Sequence, residues 1–238
     1  MRERDRALGG NGGKHVLIQT IGDLLPSAVG VAISPIPIVA IVLMLATPRG
    51  RSNGLAFSLG WIVGLGGVMA IVLLLAKTAS SDTTDTGVNW VTLALGVVLL
   101  GLARRRWRGR PKKGEETEMP SWVAAVDHFT FPKSLGLGLA LSAVNPKNLV
   151  LTLAGAGVIA RAGLSTGDEV VAAVVFVAVA SVTVVGLVLF YLVAPAAASR
   201  PLESIKAFMA DNNDAIMAVI LLILGVKLIG DGMGGAFG

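Results

Sequence analysis

The stretch VNPKN at residues 144–148 interrupts an apolar run over residues 134–160, about ten residues after the run begins. A similar stretch, ISPIP at 33–37, interrupts the run 24–47 at the same depth. Asn and Ser are favoured at the N-cap of a helix, and proline is favoured at its first position because the N–H that proline lacks has no partner there. At about 1.5 Å per residue, both stretches therefore predict half-helices that begin near the centre of a bilayer of about 30 Å.

The composition requires a bilayer around most of the chain. Hydrophobic residues make up 54% of 238 positions, charged residues only 15%, and the mean hydropathy is +0.76. One water-soluble core cannot hide that much apolar surface. Six segments are long and apolar enough to be predicted as transmembrane helices: 24–47, 54–77, 88–104, 134–160, 169–195 and 213–230.

The chain also contains an internal repeat. The sequence LGVVLLG at 95–101 resembles LGVKLIG at 224–230, so that helices 1–3 and 4–6 match both at their breaks and at their ends. Because three is odd, the second copy enters the membrane from the opposite side, as in many secondary transporters. We expect an all-α integral membrane protein with six transmembrane helices in two inverted three-helix repeats, helices 1 and 4 being broken. The predicted parts are a flexible N-terminal tail at 1–21, repeats at 22–104 and 134–238, and a basic loop at 105–133.

The basic residues predict the orientation. Twelve Lys and Arg residues lie on the side of the 105–133 loop and six lie on the other side. The positive-inside rule therefore places this loop in the cytoplasm and both termini outside. Within the loop, apolar residues recur at helical spacing between Pro120 and Phe131 and predict an amphipathic helix on the membrane surface. Since the positive charge flanks hydrophobic spans, we expect no nucleic-acid partner.

Lys147 is the residue that suggests a function. A lysine at the bilayer centre costs about 2.5–3.5 kcal/mol on insertion scales, so it is expected to line a wet cavity or to meet an anion. Two helix N-termini, each with roughly half a positive charge, are predicted beside it. An anionic or strongly electronegative head group is the implied ligand. The predicted substrate-binding residues are Ser34, Pro35, Pro37, Asn145, Pro146, Lys147 and Asn148.

Other motifs favour structural roles. Lys227 lies near a helix end and is predicted to snorkel or to pair with Asp231. Gly60 and Gly64 form a GxxxG motif, which is typical of a helix-packing notch. The chain has no cysteine, no phosphate-binding P-loop and no recognisable hydrolase motif. We therefore expect no enzyme activity, no metal and no cofactor.

With these motifs in view, the chain resembles the glycolipid-addressing protein (GAP/Sap) family of actinobacteria, within the lysine exporter (LysE) superfamily. The resemblance covers roughly residues 22–232. It is carried by SPIP at 34–37, TPRGR at 47–51, NGLAF at 53–57, PSW at 120–122 leading to Asp127, and NPKN at 145–148.

The resemblance implies a six-helix inverted-repeat fold in the inner membrane, and a role in moving cell-envelope glycolipids or their precursors. It also implies that Ser34, Pro35, Asn145, Pro146 and Lys147 surround the translocation site. The implied partners are membrane lipids and the lipid substrate, with a larger lipid-export machinery or a homodimer as further partners.

Our leading hypothesis is an exporter of an anionic or glycosylated envelope lipid. One alternative is the export of a small soluble solute such as an amino acid. Another is a non-transporting accessory subunit that docks on a larger lipid exporter.

Overall fold

The computed structural model describes residues 2–79, 90–109 and 128–233. All regular elements in these ranges are α-helices, which confirms the predicted class. They are α1 (Arg2–Ala32), α2 (Pro35–Leu45), α3 (Gly50–Ala79), α4 (Trp90–Arg108), α5 (Phe131–Ala143), α6 (Pro146–Arg161), α7 (Thr166–Val193) and α8 (Pro195–Met233).

Three of these helices contain segments long and apolar enough to cross a bilayer: Gly13–Ala32, Gly50–Ala76 and Thr166–Val193. The pair α5 and α6, which is bent by 60° at its break, makes a fourth candidate span. The chain is therefore a helical membrane protein with three or four candidate spans. The predicted spans 88–104 and 213–230 correspond to α4 and to the C-terminal part of α8.

Two helices are longer than the sequence predicts. Residues 1–21 were expected to be a flexible tail, whereas α1 already begins at Arg2. Extending an existing helix adds a hydrogen bond per residue and needs no new nucleus, so the span propagates into the polar segment. The expected connection at 199–214 is likewise part of α8 (Pro195–Met233), although it contains Pro, Asn, Asp and Ser residues that are typical of connections.

Some predictions fall outside the part of the chain that the structure describes. The amphipathic surface helix at 120–131 lies mostly within residues 110–127, and the side chains of Lys227 and Asp231 are also outside it. Where the chain resumes, the Phe129 carbonyl accepts a hydrogen bond of 3.0 Å from the Asn53 side-chain amide. The end of the loop is thus attached to the first turns of α3.

Helix α2 lies inside the protein. Nine of its eleven residues are buried, and it packs against α3, α7 and α8. A helix that is apolar on all sides is stable where protein or lipid surrounds it. At about 1.5 Å per residue it is about 16 Å long, or half a bilayer. Other helices therefore surround most of α2.

Glycines bring two pairs of helices into backbone contact. In α3, Gly60 packs on the Leu135 carbonyl of α5, and Gly64 packs on Ser142 of the same helix, which confirms the predicted packing notch. In the α4–α8 pair, a methyl group at Gly96 would lie 3.0 Å from the Gly225 carbonyl oxygen, and one at Gly225 would lie 3.0 Å from the Gly96 carbonyl oxygen. The two segments that match in sequence therefore pack on each other reciprocally.

Candidate functional site

The structure has a break at both predicted positions. Helix α1 ends at Ala32 and α2 begins at Pro35, while α5 ends at Ala143 and α6 begins at Pro146. Proline at the first position of a helix leaves no donor unpaired, and it disfavours helical geometry for the residue before it. Ser34 and Asn145 accordingly have extended backbone angles. The sequence therefore located both breaks correctly.

The second break has the predicted cap. The Asn145 side-chain oxygen accepts a hydrogen bond of 3.1 Å from the backbone N–H of Lys147, the second residue of α6. This bond satisfies one of the donors that a helix leaves unpaired at its start. The cap fixes the direction of the first turn of α6, and with it the position of the Lys147 side chain.

The first break differs, because Ser34 occupies the N-cap position without making a capping bond. A capping side chain accepts from the N–H of the second or third helical residue, and the third residue of α2 is Pro37, which has none. The Ser34 hydroxyl instead donates to the Asn148 side-chain oxygen over 2.7 Å. Ser34 therefore joins the two breaks together.

The centre of the site is a buried cluster of Lys147, Ser34 and Asn148. The Lys147 ammonium donates to Ser34 Oγ over 3.0 Å and to the Ile33 carbonyl over 3.3 Å. The Asn148 amide nitrogen donates to the Leu141 carbonyl over 2.8 Å. Only 5% of Lys147, 2% of Ser34 and none of Asn148 is exposed. In this conformation the cluster is closed to solvent.

Positive charge is concentrated in this cluster. The first turns of α2 and α6 meet there, and each contributes the positive end of a helix dipole. Among the described residues no carboxylate lies within salt-bridge distance of Lys147. The Ile33 carbonyl, which follows the last turn of α1, partly compensates the positive charge of Lys147. An anion placed at this site would be stabilised.

Sequence reasoning missed a further contact at the first break. The Thr183 hydroxyl of α7 donates to the Ala32 carbonyl over 2.6 Å, so that α7 holds the end of α1. The available signal was a pair of hydroxyl residues, Ser181 and Thr183, in an otherwise apolar span. The carbonyls of Ala32 and Ile33 could not be found from residue types, because every residue has one.

The predicted site residues divide into three groups. Ser34, Lys147 and Asn148 contact one another directly, and Asn145 bonds the backbone beside them. Pro35 and Pro37 are buried in the first turn of α2, where they shape the backbone and donate nothing. Pro146 is exposed, and it begins α6 without facing the cluster.

A separate cavity of about 930 Å³ lies between α3 and α7. Its walls are mainly aliphatic, and none of the predicted site residues lines it. Thr166, Glu169 and Ser181 are the polar side chains on its walls. The described part of the molecule thus holds two features of different chemistry, a closed polar cluster and an open apolar cavity.

A comparison with protein families matches residues 24–234 to the family described as Sap, sulfolipid-1-addressing protein. The matched range includes both breaks and the whole cluster. Comparisons with curated proteins and with solved structures found no match.

Proposed function

The chain belongs to the family described as Sap, sulfolipid-1-addressing protein, and from that premise we propose that it exports an anionic or glycosylated lipid of the cell envelope from the inner membrane. The lipid head group binds at the two half-helix N-termini, with Lys147 as its counter-charge. The proposal includes membership of the lysine exporter superfamily.

The observation that carries this proposal is the environment of Lys147. Its ammonium is buried, is bonded only to a hydroxyl and a carbonyl among the described groups, and lies where two helix N-termini meet. An ammonium has three N–H donors, of which these two acceptors use two. A sulfate, phosphate or carboxylate would supply both further acceptors and the missing negative charge.

The same contacts have a structural role, because Lys147 and Thr183 satisfy carbonyls at the end of α1. This role and head-group binding are compatible if the cluster opens during transport. A head group that enters the site accepts the hydrogen bonds that Lys147 otherwise donates to Ser34 and Ile33. The closed cluster is then the resting state, in which internal acceptors occupy the place of the substrate.

The cavity between α3 and α7 favours a lipid over a small soluble solute. A polar solute gains nothing from aliphatic walls, whereas a hydrocarbon chain finds there the apolar surroundings that it has in the bilayer core. Export of an amino acid would instead require a polar pathway to Lys147, and this cavity does not supply one. We therefore rank lipid export above solute export.

We further propose the six-span inverted repeat. The reciprocal contact of Gly96 and Gly225 supports it, since an exchange of the two halves would preserve that contact. The helix pairs α3–α5 and α1–α7 support it as well, because the same exchange converts one pair into the other. Loop 105–133 is then cytoplasmic, with both termini outside.

This topology can be tested by single cysteines, because the chain has none of its own. Arg108 and Arg161, both exposed, end α4 and α6. In intact cells, a membrane-impermeant maleimide should label Arg161→Cys and should not label Arg108→Cys until the membrane is opened. Labelling of both residues from the same side would contradict the six-span topology.

Transport itself is tested with the purified full-length chain in liposomes. The substrate is a fluorescent sulfated diacyl glycolipid whose leaflet is read by a membrane-impermeant quencher. Lys147→Met removes a buried charge that makes hydrogen bonds worth about 1.5–3 kcal/mol, so the initial rate should fall by about ten- to a hundredfold. The matched control is Lys133→Met at an exposed lysine near the start of α5, where the rate should be unchanged.

Two outcomes would overturn the proposal. Equal rates for wild type and Lys147→Met would remove Lys147 from the site. If the purified chain moves no lipid and co-purifies stoichiometrically with another exporter, it is an accessory subunit.

A further inference from the structure

The cavity between α3 and α7 extends along both helices. Its lining residues run from Ile62 to Leu74 on α3 and from Thr166 to Leu189 on α7. At about 1.5 Å per residue, the α7 wall is about 35 Å long, comparable to the bilayer core. Its volume of about 930 Å³ is that of a site for a substantial ligand. Such a shape suits a flexible hydrocarbon chain better than a compact, rigid molecule.

One polar group in the middle of this cavity wall has no hydrogen-bond partner among the described residues. Ser181 is 3% exposed, and its hydroxyl makes no hydrogen bond in the described structure. A serine within a helix usually bonds to the carbonyl four residues earlier, which would satisfy it. A buried hydroxyl without a partner is unfavourable, and an acceptor from a bound molecule would remove that cost.

The cavity lies at the depth of the first helix break. Thr183, which bonds to the end of α1, is two residues from Ser181. Residues two apart on an α-helix point about 200° apart, so they face nearly opposite sides of α7. Helix α7 therefore has the polar break on one side and the apolar cavity on the other.

We propose that this cavity holds an acyl chain of the transported lipid, with the Ser181 hydroxyl donating to an ester or amide carbonyl of that lipid. This inference rests on the proposed function, because it assigns a second subsite to the same substrate. The cluster around Lys147 then recognises the head group, and the cavity recognises the chain.

Glycines supply matched variants for the test. Gly66 and Gly186 line the cavity, and a side chain added at either would meet no atom within 4 Å. Gly67 is adjacent on α3 and has equally open surroundings, but it does not line the cavity. Gly66→Leu and Gly186→Leu therefore fill the cavity without a backbone clash, while Gly67→Leu adds the same group to α3 outside it.

The first experiment uses the full-length chain in nanodiscs and a phosphatidylglycerol with a diazirine in the middle of one acyl chain. After irradiation, mass spectrometry should find the adducts concentrated on the cavity walls. Gly66→Leu and Gly186→Leu should each reduce these adducts about tenfold, or about 1.4 kcal/mol of binding free energy, because the added side chain occupies the space of the acyl chain. Gly67→Leu should leave them unchanged. Labelling that persists in both filled variants would overturn the proposal.

The second experiment separates this proposal from the proposed function. In the liposome assay, the filled variants should move a long-chain sulfated glycolipid about tenfold more slowly than wild type, and a short-chain analogue at the wild-type rate. Transport by wild type with no effect of filling would overturn the chain subsite alone. If wild type moves no glycolipid, the proposed function fails, and the chain subsite fails with it only if the cavity adducts are absent as well. Thermal unfolding of each variant checks that the fold is intact.

Discussion

The two helix breaks have similar sequences and different chemistry. At the break between α1 and α2, the chain presents acceptors, namely the carbonyls of Ala32 and Ile33 and the hydroxyl of Ser34. At the break between α5 and α6, it presents the ammonium of Lys147 as a donor and, beside it, the Asn148 side-chain oxygen that accepts from Ser34. Asn145 caps α6, the helix that it precedes. Ser34, in the equivalent position before α2, makes no capping bond and donates to Asn148 at the other break.

This difference shows how two positive helix ends can lie together inside a membrane protein. Two identical breaks, each with a lysine, would repel each other in a medium of low dielectric constant. Because the two breaks differ, the Ile33 carbonyl, which follows α1, and the Ser34 hydroxyl both accept from Lys147 and stabilise its charge. Both halves of the chain thus contribute to the cluster. A substitution at one break should therefore also weaken the hydrogen bonds of the other.

The largest effect on stability is expected from Ser34→Ala. It removes an acceptor from a buried ammonium and the donor to Asn148, so the free energy of unfolding should fall by about 2–3 kcal/mol. The measurement is unfolding by increasing SDS in mixed micelles. Ser204→Ala is the control, because Ser204 is exposed and bonds only within α8. Equal losses in the two variants would mean that Ser34 does not connect the breaks.

Much of the fold could be predicted from the sequence because it depends on local properties. A cap residue followed by proline is typical of a helix start, so Ser34-Pro35 and Asn145-Pro146 indicated where α2 and α6 begin. Glycine lacks a side chain, so the spacing of Gly60 and Gly64 indicated a close helix contact.

The remaining features depend on contacts between distant segments. Nothing in the residues near Ser34 indicates that its hydroxyl turns to Asn148 instead of capping α2, since the two are far apart in sequence. The cavity between α3 and α7 is likewise absent from the sequence pattern, because aliphatic residues that line a cavity look the same as those that face lipid. Helix α8 also continues through residues 199–214, where the Pro, Asn, Asp and Ser residues had predicted a connection.

A smaller effect is expected at the other break. Asn145→Ala removes the cap of α6 and should lower the free energy of unfolding by about 1 kcal/mol. Asn145→Ser should keep most of the wild-type free energy of unfolding, because serine is an equally favoured cap. The same SDS titration makes the measurement. If Asn145→Ala lowered the free energy of unfolding as much as Ser34→Ala does, Asn145 would be more than a local cap, and the difference between the two breaks would be contradicted.

The smallest effect is expected where α7 holds the end of α1. Thr183→Val keeps the shape of the side chain and removes the hydrogen bond to the Ala32 carbonyl, and such bonds between membrane helices average about 0.6 kcal/mol. Thr152→Val is the matched control, because the Thr152 hydroxyl bonds only within α6, to the Asn148 carbonyl. If the first break depends on partners from other helices, Thr183→Val should destabilise the protein more than Thr152→Val does. The reverse order would mean that α1 ends where it does without help from α7, and that the acceptors at the first break are fixed by the local chain alone.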